Sequence, residues 1–361
     1  MTELLRVAVV GVGRIGVFHA RFVQELARER GDCVLVAVVD GHGDTAGRVA
    51  AQLQGDQSEP IASFTRVEEL VAAGVADAAV VASRTQQHYE QALGLVEGGL
   101  RVLLEKPLTH SLDTARQFTA FLQGDPQRWQ ALMQAFQRRF DEPLCWAKQL
   151  LDQGLIGEPF KIVSVLEDPH PPPQGYQSPG LLADMSVHNI DEVCWLAGRR
   201  PERVASLGGR IYNHKVTTVE EDLDDAFLQM WFDGDLIGQV QVSRNHVAGY
   251  RNETWIYGDK GLIHVGAFGA DPLNVEVEVI GRWGQIERRF FRMRAHSEEV
   301  PVFIARFGPA YKAQATHFVD QCLAGAPFAV GPGDGLSALE VVAAGEQAMR
   351  LEGDGQVVEY V

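Results

Sequence analysis

Gly11, Gly13 and Gly16 stand in the spacing G-x-G-x-x-G, within the stretch Val7 to Gly16, VAVVGVGRIG. An apolar, β-branched run enters the first glycine, and a helix-like run, Val17 to Arg28, leaves the last. Each glycine then has its own physical task. Gly11 permits a tight turn, Gly13 lets backbone approach a pyrophosphate with no Cβ in the way, and Gly16 lets the helix pack closely on the sheet. The helix N-terminus offers unpaired N–H groups to the phosphates. A second apolar run, Cys33 to Val39, ends on Asp40, at the distance where such a unit places an acid on the ribose hydroxyls. Its charge repels an added phosphate, so NAD is expected over NADP, with Arg48 and His42 as the nearby cations that oppose this preference.

A second set of residues suits proton transfer. Asp184, His188 and Asp191, in ADMSVHNIDEVCWL (Ala183 to Leu196), are spaced i, i+4 and i+7 and so share one face of a helix. The polar flank of an ordinary helix has the same spacing. A carboxylate one turn from an imidazole can nevertheless orient the ring and support its protonated form, which a general base needs. No further His or carboxylate motif accompanies the trio, so no metal is expected. Lys106 sits in Glu105-Lys106-Pro107 directly after an apolar run, Leu100 to Leu104. Ligands of parallel sheets bind beyond the carboxyl ends of the strands, which makes Lys106 a catalytic candidate and not merely a solvated loop charge. A cis bond at Lys106-Pro107 would aim the side chain.

The elements that must position these groups alternate strand and helix up to about residue 140. A third strand, Ala78 to Ala82, opens into Ser83-Arg84-Thr85, and the helix Gln86 to Glu97 carries His88 in its first turn. The helix Leu112 to Leu122 leads to Gln130 to Phe140, expected as the last strand, on which Arg138 and Arg139 would point to opposite faces. This alternation predicts a doubly wound parallel sheet. Beyond it the rhythm changes. A helix (Leu144 to Asp152) precedes a strand (Pro159 to Leu166) that runs into the proline-rich Glu167 to Pro173. Strands are then expected at Arg203 to Ile211, Ala226 to Phe232, Leu236 to Ser243, Glu253 to Tyr257, Gly261 to Val265 and Val275 to Ile280, with a hairpin at Asp233-Gly234. Helices follow at Tyr311 to Leu323 and Leu336 to Leu351, with a loop over Gly331 to Gly335. The fold class is therefore α/β plus α+β. Residues 1–135 form a Rossmann domain, and 136–361 an α+β domain with a large, mostly antiparallel open sheet. Such a sheet finds cover in another subunit, so a homo-oligomer is expected.

The bulk composition excludes several classes. At 361 residues with 46% hydrophobic and 22% charged residues, the chain is globular and long enough for two domains. A net charge of -16 repels nucleic acid and acidic membranes. The four cysteines, Cys33, Cys145, Cys194 and Cys322, form no C-x-x-C pair. No apolar run has membrane-spanning length and no signal-peptide pattern precedes the first strand, so a cytoplasmic location is expected.

GVGRIG, EKP at Glu105 to Pro107 and the D-x-x-x-H-x-x-D run from Asp184 to Asp191, in that order, resemble the Gfo/Idh/MocA oxidoreductases over essentially the whole chain. Within that family QRRFD (Gln137 to Asp141), DPHPPP (Asp168 to Pro173) and SPGLLADMSVHNID (Ser178 to Asp191) resemble the polyol-pocket segments of inositol 2-dehydrogenases. The resemblance implies oxidation of a secondary hydroxyl on a cyclic polyol or sugar, with hydride passing to NAD. Lys106, Asp184 and His188 are the implied catalytic group. Arg139 (preferred over Arg138), Asp168, Asp191 and Tyr250 are implied to bind substrate hydroxyls. Gly11, Gly13, Arg14, Ile15, Asp40, Ser83, Thr85, His88, Glu105 and Lys106 are expected to hold the cofactor, in a homotetramer or dimer. An NAD-retaining glycosidase and a non-catalytic sugar sensor are the other activities such a scaffold carries. Three departures stand out: Arg84 replaces a proline, Ser178-Pro179-Gly180 replaces a glycine pair, and Glu167 stands where inositol enzymes often carry a base.

Overall fold

The computed structural model describes residues 4–55, 57, 59–169, 179–211, 222–268, 271–293 and 300–352. Two compact units emerge: residues 1–140 with 308–336, and residues 141–307 with 337–361.

In the first unit six strands alternate with helices. They are β1 (Leu5–Val10), β2 (Cys33–Val39), β3 (Ala62–Phe64), β4 (Ala78–Val81), β5 (Arg101–Leu104) and β6 (Leu132–Gln134). Their order in the sheet is β3-β2-β1-β4-β5-β6, and every pairing is parallel, the doubly wound arrangement. The helices between them are α1 (Gly16–Arg30), α2 (Thr45–Gln54), α3 (Val67–Ala73), α4 (Thr85–Glu97), α5 (Leu112–Gln123) and α6 (Pro126–Ala131). Strands covered on both faces need near-continuous apolar residues, and β1 (Arg6 apart), β2 and β4 supply them: Val7, Val9, Leu35, Val38, Val80 and Val81 are buried. The expected eleven-residue last strand is not formed. Asp125 caps α6, whose Pro126 suits a first turn, so only Leu132–Gln134 pairs with β5, and Gln137–Phe140 is a 3₁₀ turn. The opposite-face expectation for Arg138 and Arg139 goes with it. Residues 308–336 complete this unit: Tyr311 stacks on Phe22, and Arg101 donates to the carbonyls of Gln321 and Ala326.

The second unit is built on eight strands. These are β7 (Pro159–Glu167), β8 (Pro201–Gly209), β9 (Asp225–Phe232), β10 (Ile237–Ser243), β11 (Arg251–Gly258), β12 (Gly261–Phe268), β13 (Asp271–Gly281) and β14 (Gly284–Arg292). Their order is β14-β13-β12-β11-β7-β10-β9-β8, antiparallel throughout except where β7 and β10 run parallel. The Asp233-Gly234 hairpin is present, with Gly234 and Asp235 at positive φ between β9 and β10. Helices α7 (Glu142–Asp152) and α8 (Val187–Ala197) belong here too. Ala226, Leu228, Met230, Val240 and Val242 make one sheet face a core. Gly238 lets α8 come close, since a Cβ there would stand 2.7 Å from Val193. The other face carries Phe227 and Leu207, both more than half exposed, with Gln229, Gln239, Trp255 and Tyr257 at matching register.

The last two helices are longer than the sequence spacing suggests. Helix α9 (Val302–Ala324) carries Pro309 in its interior, and α10 (Pro332–Glu352) begins inside the expected glycine-rich loop. A proline in a first turn costs no hydrogen bond, and Pro332 is used that way.

Candidate active site

The carboxyl ends of four parallel strands place the nucleotide residues. Gly11 follows β1 at φ +80, and a Cβ there would meet the Ser83 backbone at 2.5 Å. A Cβ on Gly16 would collide with the Gly11 carbonyl oxygen, whereas one on Gly13 would meet nothing within 4 Å. Two glycines therefore shape the turn, and the third leaves a backbone surface bare. At the end of β2, Asp40 accepts the Val12 N–H through Oδ2 at 3.1 Å and the His42 N–H through Oδ1 at 2.9 Å. Each oxygen keeps a lone pair, so the carboxylate can still accept ribose hydroxyls. A bare glycine backbone, a helix N-terminus and a fixed carboxylate together fit NAD.

Beyond β4, Ser83 donates to Gln91 and Thr85 opens α4. His88 is fully buried, with Nδ1 2.8 Å from the Pro107 carbonyl and Nε2 3.2 Å from that of Ser83, so its ring contacts backbone at the ends of two strands. Burial holds this imidazole below its ordinary pKa even though both carbonyls favour the protonated form. Beyond β5, Glu105 is buried against His19 of α1, Oε1 to Nε2 2.7 Å, and its Oε2 accepts the Lys106 N–H at 3.1 Å. The Lys106-Pro107 bond is cis, and Lys106 itself is half-buried. Arg14 and Ile15 lie in the turn before α1. Arg138 is buried, and Arg139 pairs with Asp334 at 2.9 Å.

The second unit holds the proton-transfer candidates. The expected helix over Ala183 to Leu196 is interrupted: Leu182–Ser186 is one π-helical turn that leads into α8. Such wide turns concentrate at functional sites, and this one places Asp184 four residues before His188. From residue 181 to 193 every side chain is buried except these two, which are half-buried. Asp191 is 3% exposed. Asp168 follows β7, with its N–H on the Ser243 carbonyl at 2.8 Å and its carbonyl on the His246 N–H at 3.1 Å. Because β7 and β10 are parallel and β11 is antiparallel to β7, Asp168, Arg244 and Tyr250 come from one end of the central strands. Tyr250 lines a small recess with Asn252, Ala267, Pro272, Val275 and Arg306. Glu167 turns onto the open sheet face instead, bonded to Gln241 and Arg251. His170 to Pro173 and Ser178 lie outside the described residues.

Arg244 is the residue the sequence did not flag. It is 2% exposed and bridges Asp184 and Asp222. A charged residue directly after an alternating strand, QVQVSRN, was the only signal available.

The family model described as an oxidoreductase family with an NAD-binding Rossmann fold matches residues 5–131, and the GFO/IDH/MocA C-terminal domain model matches residues 145–264. The chain belongs to the GFO/IDH/MocA oxidoreductase family. It is an NAD-dependent oxidoreductase. Similar proteins include a myo-inositol 2-dehydrogenase of Thermotoga maritima, 27% identical over 93% of each chain. A scyllo-inositol 2-dehydrogenase (NAD(+)) of Bacillus subtilis is 28% identical over 89% of this chain and 86% of its own. Among solved structures, a probable dehydrogenase of Thermotoga maritima superposes with a TM-score of 0.79 at 25% identity, covering 97% of this chain and 98% of its own. No helix among the described residues is long and apolar enough to cross a membrane.

Proposed function

We propose that this chain oxidises a secondary hydroxyl of a cyclic polyol, an inositol, or of a sugar, in the cytoplasm. The observation that carries the reading is the helix over 181–193, buried everywhere except at Asp184 and His188. The GFO/IDH/MocA membership and the inositol dehydrogenases among its relatives supply the substrate class.

His188 takes the hydroxyl proton, and Asp184 orients its ring and stabilises the imidazolium that forms. Lys106 donates a hydrogen bond to the same oxygen and offsets its developing negative charge. Bound NAD supplies the nicotinamide that accepts the hydride. Gly11, Gly13, Arg14, Ile15, Asp40, Ser83, Thr85, His88 and Glu105 hold or frame the nucleotide. Asp168, Asp191 and Tyr250 accept or donate to the remaining hydroxyls. Arg139 joins them by sharing its five N–H donors with Asp334. The open face of the eight-stranded sheet joins copies into a homotetramer or dimer.

The test is absorbance of NADH with purified protein, NAD and a panel of inositols and aldoses. Growth of the signal with an inositol supports the reading. Release of a sugar from a glycoside with no net NADH assigns the site to a glycosidase instead. Lys106→Ala should lower turnover by about 100-fold or more while NAD still binds, and unchanged turnover removes Lys106 from the mechanism.

A further inference from the structure

Asp184 is held from outside its own helix. Arg244, which follows β10, donates from Nη1 to Asp222 Oδ2 at 2.5 Å and from Nη2 to Asp184 Oδ2 at 3.4 Å. The other Asp222 oxygen, Oδ1, accepts the N–H groups of Leu181 at 2.7 Å and Leu223 at 2.9 Å. One carboxylate thus fixes both the residue that leads into the π-helical turn and the guanidinium that meets Asp184. Arg244 is fixed along its backbone too, its N–H donating to the Asp224 carbonyl at 2.9 Å. The side chains of Arg244 and Asp222 are 2% and 4% exposed, against 16% for Asp184.

This asymmetry has a chemical meaning. A buried guanidinium needs one anion to compensate it, and Asp222 does so at the shorter distance. The contact with Asp184 is therefore additional. A planar guanidinium held at one end by Asp222 presents its other donors in a fixed direction, which a lysine ammonium would not do. A carboxylate that accepts from such a fork loses rotational freedom at χ1 and χ2. It keeps 16% of its side chain exposed, one turn before His188.

We infer that Arg244, anchored by Asp222, is a positioning residue that sets the orientation of the Asp184 carboxylate for His188. The inference rests on the proposed role of His188 as the base. Arg244 does not touch substrate; it acts through Asp184.

The experiment uses the full chain with myo-inositol and NAD. Arg244→Ala should lower kcat about 100-fold with the Kd for NAD unchanged, and millimolar guanidinium should restore roughly tenfold of that loss. A merely structural residue would give a loss that guanidinium does not recover, and that result, or an unchanged kcat, overturns the inference. The crystal structure of the same variant reads the point without any substrate. Asp184 should leave its present rotamer, and an unmoved carboxylate overturns the inference. Should Arg244→Ala fail to fold, Arg244→Gln with Asp222→Asn removes cation and anion together and is read by the same crystal structure. His188→Ala separates the two ideas. If that variant keeps its turnover, the base assignment fails; if it is inactive while Arg244→Ala is unimpaired, only the positioning role fails.

Discussion

Asp141 accepts both terminal nitrogens of Arg306, at 2.7 and 2.8 Å, with the two side chains buried in the second unit. The pair joins the N-cap residue of α7 to the first turns of α9. The Asp141 charge holds the guanidinium pKa above its ordinary value against the opposing effect of burial. Asp141→Asn leaves an uncompensated buried cation and should cost about 3–5 kcal/mol, read as a lowered urea midpoint. Asp141→Leu with Arg306→Met removes both charges and should recover most of that loss.

The fingerprint glycines separate folding from binding. Gly11→Ala forces a Cβ into the Ser83 backbone at a positive φ and should cost about 1–3 kcal/mol of stability. Gly13→Ala has open space around it, so its thermal midpoint should stay at the wild-type value while NAD affinity falls roughly tenfold or more. Calorimetric titration with NAD beside a melting curve checks both. Loss of the melting temperature in Gly13→Ala would contradict the division of roles.

Glu105 gives the first unit a pH dependence. Burial pushes its carboxyl up, yet the hydrogen bond and charge of His19, with the Lys106 ammonium and N–H, hold it below the ordinary glutamate value of 4.5. Its folded pKa is therefore lower than its unfolded one. The stabilisation is full above pH 4.5 and is lost as pH falls through the folded value. Urea midpoints measured from about pH 6 to about pH 3 should fall more steeply for wild type than for Glu105→Gln. Parallel curves would show that the pair contributes nothing.

The open sheet face predicts assembly. Phe227 is 52% and Leu207 59% exposed, and they lie opposite each other on β9 and β8. Phe227→Lys with Leu207→Lys puts two charges where a second copy would sit and should shift the mass in light scattering toward the monomer. An unchanged mass places the interface elsewhere.

The residues that sequence made legible share one property: their signal is local. Gly11, Gly13 and Asp40 lie within one βαβ unit, and Asp184 and His188 are one turn apart, so spacing alone groups them. Arg244 and Asp222 escape because nothing in spacing relates them to Asp184, which is 60 residues from Arg244. Strand β14, GQIERRFFR, escapes for another reason. It is a charged edge strand, exposed at almost every position, and carries no clean alternation. The start of α9 was hidden by Pro309, which argues against a helix that tertiary contacts nevertheless hold. The π-helical turn leaves no sequence signature because residues 181–193 are buried almost all round, so the shift of about 100° that one extra residue causes displaces no apolar stripe.

Strand β7 is the first of its sheet in the chain and lies in its middle, between β10 and β11. During synthesis its neighbours, residues 237–243 and 251–258, emerge only after some seventy more residues have been made. Until then β7 presents two bare hydrogen-bonding edges and an apolar face, the kind of surface on which nascent chains associate wrongly. Biosynthetic yield should therefore depend on the stretch from 167 to 258 arriving intact, and a gene cut anywhere within it should produce insoluble protein.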